Sequence, residues 1–439
     1  MTILQQIAFL ITLGVAVFFV RKRALRIKAN IALGKHEEIT GDTSERWRNV
    51  LLVAFGQKKM FKRPLPAIFH FFIYVGFLVI NLEVLEFIID GLAGTHRIFS
   101  PYLGGFYNVM MNIFEFLAVA VLVSCVIFLF RRNVIRLPRF QNTELNGWPR
   151  KDANIILITE IVLMCAILTM NATDREGGPF FFSSLIEPAF RTLTDTQAHV
   201  IERIAWWFHI IGILGFAVYV TYSKHLHIFM AFVNTYYARL EPKGKMKNMP
   251  VVTREVKSML GLPVDQADTT GAAEPGRFGA KDVNDLSRIN IMAAYSCTEC
   301  GRCTSECPAN ITGKKLSPRK IMMDVRDRAE EIGRAPGNGA PKDKASAMAA
   351  GAMTTGKTLL NDYITKEEIN ACTSCNACVE ACPVLINPLE IILELRRYVA
   401  MEESGSPAQW NSMFQNVETN FAPWKFPAAD RFNWSKNVQ

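Results

Sequence analysis

The residues best suited to chemistry are eight cysteines in two matched runs. The first reads Cys297-Thr-Glu-Cys300-Gly-Arg-Cys303-Thr-Ser-Glu-Cys307-Pro308, and the second Cys372-Thr-Ser-Cys375-Asn-Ala-Cys378-Val-Glu-Ala-Cys382-Pro383. Both are C-x2-C-x2-C-x3-C-P, a spacing that holds a [4Fe–4S] cluster. Three cysteines in a tight loop wrap three corners of a cubane while loop amides bond its sulfides. The fourth, followed by proline, starts a helix and reaches the other cluster. This predicts one cluster on Cys297, Cys300, Cys303 and Cys382, and another on Cys372, Cys375, Cys378 and Cys307. Tetrahedral zinc uses two separated C-x2-C pairs instead, and a secreted disulfide scaffold scatters its cysteines through a small domain. Cys125 and Cys165 lie in apolar segments and read as packing residues.

Histidines within apolar segments are the second signal, because ionisable groups there are costly and usually functional. His70 lies near the start of the second apolar segment. His209 and His227 are 18 residues apart. On one continuous fifth helix that is five turns, so both rings would share a face about 27 Å apart along the axis. By this topology His70 and His227 fall at the same membrane level, placed to supply two axial nitrogens to one haem b. The plain alternative is that an interfacial histidine bonds a carbonyl or reaches the headgroups. His225, two residues from His227, would point about 200° away and read as interfacial. His36, His96 and His199 read as loop residues. Glu83, Glu86, Glu115 and Glu160 fall in the same zone. They fit either proton handling beside a quinone or hydrogen bonding between helices.

These residues need elements to position them. Half of the 439 residues are hydrophobic and one fifth charged, which excludes a disordered chain. Five stretches are long and apolar enough to span a bilayer: 2–20, 65–89, 106–130, 153–170 and 200–222. The first is followed by Arg21-Lys22-Arg23 rather than a cleavage site, so it reads as a retained helix. Loops 21–63 and 131–152 carry 18 Lys and Arg, against three in loops 91–105 and 171–199. That asymmetry predicts an N-terminus outside the inner membrane and cysteine runs in the reducing cytoplasm. It also accounts for the net charge of +9 without nucleic acid, since the basic residues flank apolar runs and form no aromatic-interleaved groove.

The fold class expected is an all-α five-helix membrane bundle fused to a mainly α-helical two-cluster domain. The predicted units are a membrane domain 1–233, a linker 234–284, a cluster domain 285–402 and an aromatic tail 403–439. Residues 241–290 carry Pro242, Gly244, Pro250, Gly261, Pro263, Gly271, Pro275, Gly276 and Gly279, a density of breakers that marks a connection. Ser317-Pro318 predicts a helix start, Thr365-Lys-Glu-Glu368 a capping box, and Pro388–Met401 an amphipathic closing helix. Gly333–Gly356 reads as an exposed loop. The tail, with Trp410, Phe414, Phe421, Trp424, Phe426 and Trp434, should pack on its own domain or dock a partner.

Phe69-His70, with His209 and the end Ser223-Lys224-His225-Leu226-His227-Ile228-Phe229, resembles the haem-b membrane subunit of respiratory nitrate reductase and the related subunit of heterodisulfide reductase. The resemblance implies His70 and His227 as ligands of the cytoplasmic-side haem and His209 as a ligand of an outer one. The sequence departs where a second histidine of the second helix would fall: Ile80-Asn81 stand there. This leaves His209 with another partner, a structural role or a quinone contact. Residues 285–402 resemble the helical ferredoxin of the heterodisulfide reductase small subunit, also seen in succinate dehydrogenase. Together these resemblances imply an electron-transfer subunit of a respiratory oxidoreductase, passing electrons between a cytoplasmic partner and membrane quinone. The sequence contains no Cys-Cys-Gly repeat and no flavin fingerprint. Substrate chemistry is therefore expected in a partner, either a Cys-Cys-Gly subunit or a flavoprotein. The alternatives are a membrane-anchored iron–sulfur sensor or assembly protein without haem, and a transporter. Five helices without an internal repeat argue against the transporter.

Overall fold

Among the described residues five helices are long and apolar enough to cross a membrane: α1 (Ile3–Ala32), α2 (Pro64–Ala93), α3 (Gly105–Asn133), α4 (Trp148–Thr173) and α5 (Asp195–Val220). The computed structural model describes residues 2–175, 180–264, 277–335, 356–425 and 427–437. Local chemistry sets the helix ends. Thr2 and Thr194 close capping boxes with Gln5 and Gln197, and α2 and α4 begin with proline in the first turn. Gly94, at φ 76°, ends α2 in a left-handed cap. Neighbouring helices pack in sequence from α2 to α5, and α1 lies against α2 and α5. Phe9, Ile80, Phe87, Leu117, Met164 and Trp206 fill the bundle core. Leu78, Leu82, Phe116 and Val126 face outward, as a lipid solvent allows. Gly76 lets α2 approach α3 closely, since a Cβ there would come within 2.5 Å of Val121 Cγ2.

Two departures from expectation follow from partners that the sequence does not reveal. The stretch Arg21-Lys22-Arg23 is not loop, because α1 runs on to Ala32. Arg23 is buried and donates to both carboxylate oxygens of Glu330, at 2.9 and 2.7 Å. The fifth helix also stops early. It ends at Val220, a short 3-10 turn covers Lys224–Leu226, and a separate helix α6 (His227–Tyr237) follows. His209 and His227 therefore do not share one helix.

The cysteine-bearing half is built on α8 (Arg288–Tyr295), α9 (Pro318–Arg334) and α10 (Pro388–Met401), with a further helix α7 (Pro250–Met259) in the preceding stretch. Ser317 caps α9 through its side chain, and Thr365 and Glu368 form a capping box. Its core holds Ile291, Ile321, Met322, Ile391 and Leu395. Ala280 and Val283, from the end of the stretch read as linker, are buried in that core with Ile27 of α1. Gly271, Pro275 and Gly276 lie outside the described residues, as does most of the predicted loop Gly333–Gly356. The halves meet along the basic loops. Lys35 N–H donates to Leu286 O at 2.8 Å, Arg319 pairs with Glu144 at 2.7 Å, and Arg63 pairs with Glu306 at 2.6 Å. The tail helix α11 (Ala408–Asn420) has no buried residue, and Trp410, Phe414, Phe421, Trp424 and Trp434 are exposed. None of them joins the buried core of the cluster half, and Phe426 lies outside the described residues.

Candidate functional site

The two cysteine loops are wound alike. Glu299 and Ser374, each two residues after the first cysteine of its run, have φ of 54° and 56°. Gly301 and Asn376, each just after the second cysteine, have φ of 72° and 62°. Left-handed residues at matched positions tighten each loop and turn its amides inward. Ser374 N–H donates to Cys372 Sγ at 3.4 Å, and Ile386 N–H to Cys382 Sγ at 3.2 Å. Cys297, Cys300, Cys303 and Cys382 line one small cavity. Cys307 is an electrostatic neighbour of Cys372 and Cys378. The fourth cysteine of each run thus stands with the first three of the other. Cys303 packs against the small core around Cys378, so the two sets adjoin.

Among the described residues no three His, Cys, Asp or Glu side chains close on a single-ion site. The thiols around the first cavity are arrayed around a space rather than a point, which suits a cubane. Burial pushes the thiols of Cys297 and Cys378 up to about 12 and that of Cys382 to about 11. Iron would supply the positive charge that makes these buried thiolates tenable.

His70 and His227 come together from different elements, with ring centres 6.4 Å apart. Two metal–imidazole bonds of about 2 Å, plus about 1.1 Å from each nitrogen to its ring centre, span roughly 6.2 Å. His70 Nδ1 lies 3.1 Å from Gln57 Oε1, and His227 Nδ1 lies 3.1 Å from Lys224 O. A carbonyl oxygen only accepts, so Nδ1 of His227 carries the proton and its Nε2 keeps a lone pair. The Gln57 amide oxygen does the same for His70. A ring held through one nitrogen with the other left as a base is the usual setting of a metal-bound histidine. Burial holds His227 below the usual imidazole range.

His225 differs from expectation. Its ring centre is 5.5 Å from that of His227, and it lines the same cavity. The 200° rotation assumes an unbroken helix, and the turn after Val220 resets the direction. His209 is buried, with Nδ1 at 3.0 Å from Leu163 O and Nε2 without a partner. Its Nε2 too is an unprotonated acceptor. All four histidines line one cavity of about 420 Å³, within the size range of cofactor sites. Ile80, Asn81, Met164 and Glu160 share its wall, as do Cys300, Arg302 and Pro383 of the cluster half. Glu86 and Glu115 are committed elsewhere: Tyr107 OH donates to Glu86 at 2.8 Å and Asn171 to Glu115 at 3.2 Å. Glu83 is buried with both oxygens unpartnered.

Sequence reasoning misses Gln57, Lys224, Arg132 and Arg139. The arginines look like topology signals, and Gln57 carries no mark of its role. Lys224 has a clue in Glu299, a carboxylate inside a cluster loop that needs cations. Lys224 pairs with Glu299, and Arg326 pairs with the other oxygen of Glu299 at 2.9 Å.

An all-helical fold, a bundle sized for a membrane and two four-cysteine sets define the class as an iron–sulfur protein with a membrane-type bundle. Residues 296–386 match the family model of the 4Fe-4S dicluster domain. The chain is 30% identical over 458 residues to the probable iron-sulfur-binding oxidoreductase FadF of Bacillus subtilis, covering 98% of this chain and 61% of that protein. It is 29% identical to the EtfAB:quinone oxidoreductase of Syntrophomonas wolfei, covering 87% of this chain and 52% of that protein. Over 124 residues it is 32% identical to one component of the ferredoxin/F(420)H(2)-dependent CoB-CoM heterodisulfide reductase of Methanosarcina acetivorans, covering 28% of this chain and 56% of that component. The chain spans between half and two thirds of the length of these relatives. No solved structure matches. Its homologues are iron–sulfur oxidoreductases, and electron transfer is the chemistry they share.

Proposed function

We propose that this chain carries electrons between a cytoplasmic redox partner and membrane quinone, through two [4Fe–4S] clusters and a haem b between His70 and His227. One observation carries the reading: the cavity walled by His70 and His227 is also walled by Cys300 and by Pro383, the neighbour of Cys382. A group held by the two histidines therefore lies against the first cluster loop. When bound, clusters and haem relay single electrons, whereas a quinone takes up two electrons and two protons to become its hydroquinone.

The chain's residues set the conditions. Gln57 and Lys224 fix the tautomers that leave both Nε2 atoms free for iron. The apolar wall of Ile73, Val121 and Ile213 excludes water. His209, with Ile80 and Asn81 sharing its end of the cavity, we assign to the quinone head, where Nε2 accepts from a hydroquinone hydroxyl. Glu160 in the same wall serves as a proton carrier. The basic loops and the cluster half lie at one end of the bundle, which the positive-inside rule makes cytoplasmic in the inner membrane. The EtfAB in one relative's name supports a flavoprotein as the partner. We retain 1–233 as the membrane unit and 285–402 as the cluster unit, with Ala280 and Val283 from the preceding stretch joining the core of the latter.

The test is a reduced-minus-oxidised spectrum of the purified chain with haem and iron quantified. One haem b and about eight non-haem irons are expected. His70→Ala and His227→Ala should each lose the haem and keep the iron. Two haems per chain would reassign His209 to iron. Eight irons without haem would overturn the respiratory reading in favour of a sensor or assembly role.

A further inference from the structure

Two half-buried arginines in the wall of this cavity keep guanidinium nitrogens that no hydrogen-bond acceptor reaches, although Glu299 and Asp152 are electrostatic neighbours of Arg132. Arg132, at the end of α3, has Nε and one terminal nitrogen buried without a hydrogen-bond acceptor, and Arg139 has its Nε in the same state. Both line the cavity that His70 and His227 line. They flank one ring, each with its guanidinium carbon 4.9 Å from the centre of Phe140. Their neighbours are already committed. Arg302 donates to Lys59 O at 3.1 Å, and Arg319 donates to Arg139 O and Glu144 at 2.7 Å each. A guanidinium nitrogen buried without an acceptor is costly, and its natural complement is a carboxylate taken in a forked pair of hydrogen bonds.

We infer that Arg132 and Arg139 form the seat for the two propionate carboxylates of the porphyrin held by His70 and His227. The assignment rests on the haem reading above and extends it from the iron to the edge of the ring. It fixes the ring's direction as well. The carboxylate edge points toward α3 and the loop after it, and so toward the first cluster, since Arg139 is an electrostatic neighbour of Cys300. That proximity also supplies the rival explanation, in which the arginines compensate the cluster's negative charge and touch no porphyrin.

Haem b and its dimethyl ester separate the two. The ester keeps the iron, the ring and the axial sites, and removes both negative charges. The full chain, made in a haem-deficient host, is titrated in detergent with each form while the Soret band is followed. The wild type should bind the diester roughly tenfold to a hundredfold more weakly, as expected for losing hydrogen bonds between charged groups. The double variant Arg132→Gln, Arg139→Gln should bind the two forms alike, and the Lys pair should restore part of the preference. Equal binding by the wild type, or an undiminished preference in the double variant, overturns the assignment alone and returns the arginines to the cluster. Uptake of neither form overturns the assignment together with the reading beneath it. The wild-type comparison needs no variant, so it decides even if the double variant misfolds.

Discussion

At the scale of single residues, the contact between the halves is made by a buried charge cluster. Glu299, inside the first cysteine loop, meets Lys224 and Arg326, and Lys224 also donates to Pro149 O at 2.6 Å. The backbone carbonyl of Lys224 holds His227. One residue thus touches the cluster loop through its side chain and the candidate haem ligand through its backbone. Burial disfavours the charge on Glu299, but Arg326 and Lys224 outweigh it and hold the carboxyl below its usual range. A depressed carboxyl stabilises the fold above its unfolded value, near 4.3, and that contribution is lost as pH falls through the folded value. Acidification below about pH 4 should therefore loosen the docking of the halves, with no matching loss between pH 6 and 8. Removing Lys224 takes from the buried Glu299 one of the two cations paired with it, and Arg326 keeps the other oxygen. Lys224→Met should cost about 3 kcal/mol, and adding Glu299→Gln should recover part of it. Melting in detergent at pH 7 checks both; a double variant no more stable than Lys224→Met would break the argument.

At the scale of elements, most of the helices were legible, and the boundaries that were not share one cause. Hydropathy finds five spans because lipid demands long apolar helices. Ser317-Pro318 and Thr365 mark helix starts because caps are local chemistry. Arg21-Lys22-Arg23 misleads because a salt bridge to a residue 307 positions away turns a topology signal into a buried interface. The break after Val220 carries no proline or glycine, so periodicity runs through it and misplaces His225. The prolongation of α1 also needs a close approach that the sequence hides. A Cβ on Gly34 would come within 2.8 Å of Arg288 N and of Ser287 C, where Lys35 exchanges backbone hydrogen bonds with Leu286 and Arg288. Backbone cannot give way as a side-chain tip can. Gly34→Ala should destabilise the seam by about 1–3 kcal/mol. The seam should open to protease around residues 33–36 while the bundle and its detergent melting persist. An unchanged cleavage pattern would mean that the seam tolerates the methyl group.

At the scale of the whole molecule, the crossed arrangement of cysteines would make two clusters bound on them a single structural unit. Cys297, Cys307 and Cys382 lie in the same core as Ile291, Ile321 and Ile391, so ligand positions from both runs are also packing positions. With clusters bound on the proposed ligands, iron would join the two runs in addition to this apolar contact. Losing the fourth cysteine of one run should then damage the cluster of the other. Cys307→Ser should remove or convert the cluster on Cys372, Cys375 and Cys378, and leave the one on Cys297, Cys300, Cys303 and Cys382. Iron per chain should fall from about eight toward four or seven, according to whether a cubane or a single iron is lost. Cys382→Ser should do the reverse. The surviving cluster can be told apart by its neighbours. Arg302 and Arg139 are electrostatic partners of Cys300, whereas Arg396 is the partner of Cys372. An added Arg396→Gln should therefore lower the potential of the cluster that survives Cys382→Ser. It should leave the one that survives Cys307→Ser nearly unchanged. If each serine variant instead loses the cluster of its own run, the runs are independent, and the path from partner to histidines must be drawn through a different pair of loops.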